Sequence, residues 1–194
     1  MKIYLIRHED RTKDATFFSP LNFKGMENSK KLHPILKDLN INLVFSSPYI
    51  RTLQTISPFV SLENLSVNID YALGESINPY IIPKNSYNVE LPEYIAKLFN
   101  VNPTYSSVVK PSEMVWDEKI KHIKSRVRKF LRFILTTYTK KDVNILICSH
   151  QTTINCFLNI INAKHSVEYP YPKGKICLIF KNDKWDIKPI DWSF

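Results

Sequence analysis

The chain has 194 residues, which suits one domain with a sizeable core, and 44% hydrophobic with 23% charged residues excludes a disordered segment. No apolar run reaches the roughly 18 residues that a membrane-spanning helix needs. A net charge of +9 draws negatively charged partners, whether phosphorylated small molecules, phosphoproteins, nucleic acid or acidic membrane, and does not choose among them.

The opening MKIYLIRHED has a four-residue apolar stretch, too short for a signal-peptide core. Residues 2–6 read instead as a buried strand, and the protein as cytoplasmic. Residues 23–38 predict a helix with Met26, Leu32, Ile35 and Leu36 on one side and Gly25 near its start. A second strand follows at 42–46, and Ser47-Pro48 then opens a helix, with serine as its cap and proline in its first turn. A short strand at 66–69 leads into an irregular stretch containing Gly74, Pro79 and Pro83. Helices are predicted at 90–99 and 113–138; the second carries Trp116, Ile120, Ile123, Val127, Phe130, Leu131, Ile134, Leu135 and Tyr138 at helical spacing. VNILIC at 143–148 is the clearest buried strand, with a helix at 152–162 directly behind it. Strands at 175–181 and 184–190, joined by a turn at Asn182-Asp183, close the chain.

Strands alternating with helices imply an α/β sandwich of three layers, its central sheet mostly parallel with an antiparallel edge, in a single domain over residues 1–194. Ligands of such sheets bind beyond the carboxyl ends of the strands. Three strand-to-helix junctions carry polar residues there: Arg7-His8; Ser46-Ser47-Pro48 with Arg51 one turn on; and Ser149-His150. A neutral imidazole can attack phosphorus, which splits ester hydrolysis into two phosphoryl transfers. Guanidinium forks match the equatorial phosphoryl oxygens and offset their charge. The leaving oxygen needs a proton, and the irregular stretch offers a carboxylic acid in Leu73-Gly74-Glu75. Each piece alone has a bland reading; their agreement at three junctions does not.

In order along the chain, LIRHEDR, SPLNFKG, FSSPYIRTLQT and LICSHQTTI closely resemble the motifs of the histidine phosphatase (phosphoglycerate mutase-like) superfamily. The resemblance implies that His8 is the nucleophile, that Arg7, Arg51 and His150 form the phosphate pocket, and that Glu75 is the general acid. It also implies a phosphomonoester hydrolase of the histidine acid phosphatase type. A pocket built from cations, without a carboxylate-histidine cluster suited to a divalent ion, is expected to work without metal or other cofactor. The spacing Arg7-His8-Glu9-Asp10-Arg11 resembles a subgroup in which the second arginine also contacts phosphate, which adds Arg11 to the substrate-binding set. The acid phosphatase and phytase branch carries His-Asp near its end, whereas Gln151 follows His150 here. Glu9 and Gln151 stand where the family usually has glycine; Glu9 is expected to reshape the pocket mouth or weaken anion binding, and Glu9 and Asp10 are rivals to Glu75 as acid. The expected substrate is a phosphorylated small molecule or phosphoprotein, and neither membrane nor nucleic acid is an expected partner. A phosphoglycerate mutase-type phosphotransferase is the alternative within the fold, and a non-enzymatic phosphate- or nucleic-acid-binding module the alternative outside it.

Other features carry less. Lys119, Lys121, Lys124, Arg126, Arg128, Lys129 and Arg132 read as the solvated face of the long helix. His33, His122 and His165 show no metal-ligand spacing. Cys148, Cys156 and Cys177 read as reduced, buried thiols. Tyr169, Pro170, Tyr171 and Pro172 read as a loop.

Overall fold

The computed structural model describes all residues except 15, 80–81, 83, 85–89, 162–175, 183 and 190–194. The sequence features at Pro83, His165, Asp183 and 169–172 lie outside the described residues. Six strands form one sheet: β1 (Lys2–Arg7), β2 (Leu43–Ser46), β3 (Val67–Ile69), β4 (Asn144–Ser149), β5 (Ile176–Lys181) and β6 (Lys184–Pro189). The helices are α1 (Phe23–Lys37), α2 (Ile50–Leu62), α3 (Glu93–Ala96), α4 (Ile120–Tyr138) and α5 (Gln151–Ile160). The sheet order is β3-β2-β4-β1-β5-β6. The first four are mutually parallel, and β5 and β6 add the expected antiparallel edge.

The central strands are buried on both faces, since consecutive residues Ile145, Leu146, Ile147 and Cys148 are all inaccessible. Phe45, in register with Ile147, packs edge-on against Phe130 of α4. Cys148, one residue on and so on the opposite face, places its Sγ against the Thr52 carbonyl of α2. Helices α1 and α2 pack together, as do α4 and α5. The result is the α/β sandwich that the alternation of elements predicts.

Register brings three strand ends into line. Arg7 pairs with Ser149 and Ser46 with Cys148. Backbone bonds continue one residue past the strands, from the His8 N–H to the Ser149 carbonyl (3.0 Å) and from the Ser47 N–H to the Cys148 carbonyl (3.0 Å).

Several boundaries differ from those expected. The helix at 113–138 starts only at Ile120; Pro111–Glu113 is a separate 3-10 turn, and Asp117 takes a left-handed φ of 58°, which an α-helix cannot accommodate. Trp116 therefore lies off the helix, where its Nε1 donates to the Ile82 carbonyl at 3.1 Å. The helix at 90–99 shrinks to one turn after Pro92, continued by the 3-10 turn Lys97–Phe99 and ended by Asn100 at φ 50°. Ser47 does not cap α2, which begins at Ile50 behind Tyr49, and Pro48 precedes its first turn. The buried face of α1 is Gly25, Asn28, Ser29, Leu32 and Leu36, with Met26 exposed. Gly25 is required there, because a Cβ would lie 2.0 Å from the Asp10 carbonyl oxygen. Arg126 is not part of a solvated face: it is buried against Glu118. All three cysteines are buried and free.

Candidate active site

At the carboxyl rim of the sheet, His8, Arg51 and His150 are buried to 5%, 1% and 0% exposure. Their burial makes every remaining polar atom costly unless it has a partner. The Nδ1 of His8 lies 2.7 Å from the Glu9 carbonyl, so it carries the proton and leaves Nε2 with the free lone pair. Burial, reinforced by the positive charges of Arg51, Arg7 and Arg11, holds the His8 pKa well below 6.5. The ring is a neutral imidazole, as a nucleophile requires.

His150 lies against it, ring centroids 5.2 Å apart. The Ser47 hydroxyl accepts the Tyr49 N–H (3.4 Å) and lies 2.8 Å from Nε2 of His150. The Glu75 carboxyl oxygen 3.5 Å from Nδ1 favours the tautomer with the His150 proton on Nδ1, and Ser47 then donates to Nε2. This wiring, and not helix capping, explains Ser47. Burial first, then Arg51 and His8, push the His150 pKa well below 6.5. The 3.5 Å approach of Glu75 Oε2 to His150 Nδ1 is accordingly a contact to a neutral ring and not an ion pair.

Arg51 projects from the first turn of α2. Its Nη1 donates to the Thr16 carbonyl at 2.7 Å, and its Cζ sits 4.6 Å from the centre of the Tyr49 ring. Burial brings its pKa down to about 10, which leaves it charged at neutral pH. Arg7 ends β1 half-buried. Arg11 donates to the Thr12 carbonyl at 2.6 Å, and its charge acts on both His8 and Arg51. Among the described residues, His150 Nδ1 and Arg51 Nε are buried donors without a hydrogen-bond partner. Orphaned donors beside a neutral histidine and three guanidiniums make a site suited to an oxyanion.

Glu75 is positioned by its backbone. The Leu73 and Gly74 carbonyls accept from Ser149 Oγ (2.7 Å) and Thr153 Oγ1 (2.6 Å), and the carboxyl stays about a quarter exposed at 23%. Its rivals point elsewhere. Glu9 is buried with its carboxylate 3.1 Å from the Asn28 amide of α1, and its N–H donates to Thr55 Oγ1 at 2.9 Å. It does not take a positive φ, so the glycine is not needed, and being buried it does not shape the pocket mouth. Asp10 faces the exposed ammonium of Lys24 at 3.9 Å. Gln151 simply opens α5.

Contrary to the expectation of a pocket without one, the site contains a carboxylate-histidine cluster, because the loop that carries Glu75 folds back over the two histidines. One ligand atom each from His8, Glu75 and His150 all lie within 4.8 Å of one another. Two histidines and a glutamate are donors suited to zinc. The neighbouring guanidiniums of Arg7, Arg51 and Arg11 repel a dication and favour an anion. Treatment with EDTA is accordingly expected to leave turnover unchanged within assay error; loss restored by one specific metal would give the cluster a metal role.

The two buried neutral histidines also set a pH dependence of stability. An unfolded imidazole takes its proton near pH 6.5, whereas His8 and His150 are protonated only well below that. Below about pH 6.5 the unfolded chain thus binds more protons than the folded one, and acidification lowers stability. Melting curves in phosphate-free buffer should show Tm falling from pH 7 to 5, and His8→Gln with His150→Gln should flatten that fall. An unchanged slope in the double variant contradicts the assignment of neutral rings.

The sequence places Arg7, His8, Arg51 and His150 on one rim with Glu75 overhanging it, and the structure brings these five together there; Arg11, expected from the resemblance, acts on His8 and Arg51 through its charge. Sequence reasoning misses Ser47 as the partner of His150, Tyr49 beneath Arg51, and Arg126 behind the Glu75 loop. The sequence signal for Ser47 lies in FSSPY, where a serine before proline equally fits a helix cap.

The sequence model of the histidine phosphatase superfamily (branch 1) matches residues 3–188. No curated protein sequence matches the chain. Among solved structures, the fold is similar to the ecdysone phosphate phosphatase from Bombix mori, solved with tungstate (TM-score 0.72, 15% identity, covering 100% of this chain and 96% of that one). It is similar to the mycobacterial glucosyl-3-phosphoglycerate phosphatase solved with VO3 (TM-score 0.69, 12% identity, 99% of both chains). It is also similar to the alpha-ribazole phosphatase from Shigella flexneri (TM-score 0.67, 20% identity, 98% and 96%).

Proposed function

The chain belongs to the histidine phosphatase superfamily, branch 1, and from that membership we propose that it hydrolyses phosphate monoesters in two steps through a phosphohistidine on His8. The observation that carries this reading is the neutral, buried His8 whose Nδ1 is tied to a carbonyl while Nε2 stays nucleophilic beside Arg51. In the first step Nε2 attacks phosphorus, the P–O bond to the alcohol breaks, and protonated Glu75 delivers its proton to the leaving oxygen. In the second, the Glu75 carboxylate takes a proton from water, the resulting hydroxide attacks phosphorus, the P–N bond breaks, and His8 is restored. Arg7, Arg51 and the Nδ1–H of His150 hold the phosphoryl oxygens, with Arg11 as an outer contact.

The lowered pKa of His8 keeps the nucleophile unprotonated in mild acid, which supports activity of the acid-phosphatase type. A phosphorylated small molecule is the favoured substrate class, because the similar structures include enzymes named for ecdysone phosphate and glucosyl-3-phosphoglycerate. Residues 1–194 act as one catalytic unit in this reading, in the reducing cytoplasm that three free cysteines suit. A screen of phosphorylated metabolites and phosphopeptides tests it. Turnover should release inorganic phosphate; transfer of label mainly to a second hydroxyl compound instead would make the enzyme a mutase.

The acid role of Glu75 has its own test. Glu75→Gln should slow alkyl phosphates by roughly a hundredfold, within the range of general acid catalysis, and nitrophenyl phosphate by much less, since nitrophenolate leaves without a proton. Equal slowing of both substrates refutes the assignment.

A further inference from the structure

Proton delivery requires the acid to be held at a set height over the leaving oxygen, and one buried side chain reaches the main-chain carbonyls of both Ala72 and Glu75. Arg126 lies on α4, 51 residues along the chain from Glu75 but directly behind its loop. Its Nε and Nη2 grip Glu118 at 2.7 Å and 3.0 Å. Its Nη1 donates to the Ala72 carbonyl at 2.5 Å, and Nη2 reaches the Glu75 carbonyl at 3.3 Å. Glu118 completes the frame from the far side: its N–H donates to the Ile77 carbonyl at 2.8 Å, and its Oε2 accepts the Ile77 N–H at 3.4 Å. Residues 72, 75 and 77 are thus held by a single ion pair, and every contact to the loop is to main chain. The Glu75 carboxyl accepts the Ser76 N–H on Oε1 at 2.9 Å and keeps Oε2 for chemistry.

We propose that Arg126, oriented by Glu118, is a positioning residue that sets the height of the Glu75 carboxyl over the phosphate pocket. The proposal rests on the reading of Glu75 as proton donor. Stability alone gives little reason for the pair, since apolar residues of similar volume often replace a buried ion pair without loss. The geometry gives a better one: the planar fork serves two carbonyls and a carboxylate at once, which an ammonium cannot.

The test compares leaving groups. Arg126→Met/Glu118→Met leaves no buried charge unpaired, and its fold is checked by thermal melting. It should lose ~tenfold or more on alkyl phosphates, a part of the roughly hundredfold that a general acid contributes at the least, yet remain close to wild type on nitrophenyl phosphate. On a Glu75→Gln background the same pair should cost nothing further. If the double variant does not fold, Arg126→Lys and Glu118→Gln are read in its place, with the same split expected. Equal loss on both substrates, or additive loss with Glu75→Gln, overturns the proposal and makes the pair purely structural. If Glu75→Gln itself shows no split, the acid assignment falls and this inference with it; if Glu75→Gln splits and the pair does not, only the inference falls.

Discussion

Replacing His8 by alanine should abolish both turnover and covalent labelling. The expectation follows from the tautomer: with Nδ1 committed to the Glu9 carbonyl at 2.7 Å, Nε2 is the only atom of His8 able to attack. Removing it leaves a pocket that can still bind a phosphate ester through Arg7 and Arg51 but has no group to receive the phosphoryl. A loss exceeding ~10³-fold in kcat, on the order of 4 kcal/mol of transition-state stabilisation, is expected, with KM little changed. Neutral quench of the wild type with labelled substrate should trap an acid-labile, base-stable phosphoenzyme, and His8→Ala should trap none. Retention of turnover within about tenfold, only ~1.4 kcal/mol, would show that His8 is not the nucleophile. His150 offers no substitute, because its Nε2 is held by Ser47 and its Nδ1 bears the proton.

Arg51→Lys should be nearly as damaging although the charge is kept. Arg51 is almost wholly buried, with one arm on the Thr16 carbonyl and its plane over Tyr49. In the proposed role the remaining guanidinium donors, including the Nε that has no hydrogen-bond partner, are the paired donors left for an oxyanion. Lysine offers a point donor, cannot hold Thr16 and phosphate together, and loses its proton readily when buried. A fall of ~10²-fold in kcat/KM, roughly 2.7 kcal/mol, is expected, with vanadate inhibition weakened in parallel. A crystal soaked with vanadate in which Arg51 turns from the anion refutes the role, as does a Lys variant within threefold of wild type.

The order of strands and helices, and the junctions where chemistry sits, were legible because both are local properties. Runs such as VNILIC, buried on both faces, must be internal strands, and parallel strands bring their carboxyl ends to one rim whatever their order in the sheet. Arg7-His8, Ser47 and Ser149-His150 were therefore certain to share that rim once the sheet was parallel. The start of α4 was misread for a related reason: Met114 and Trp116 are packed against the core without being helical, so apolar spacing ran on past the true end of the helix.

What only the tertiary structure decided is which side chain meets which. Ser47 and His150 are 103 residues apart, and Arg126 reaches the Glu75 carbonyl across 51. Neither partner leaves a periodic trace, because one hydroxyl in a strand-to-helix junction, or one guanidinium on a helix, looks the same in sequence whether it faces water or a buried partner. The same holds for Glu9, whose burial against Asn28 depends on α1 lying against the segment that follows β1. Hydrophobic pattern reports that a position is buried; register, helix placement and the need to satisfy each buried polar group determine the partner it is buried against.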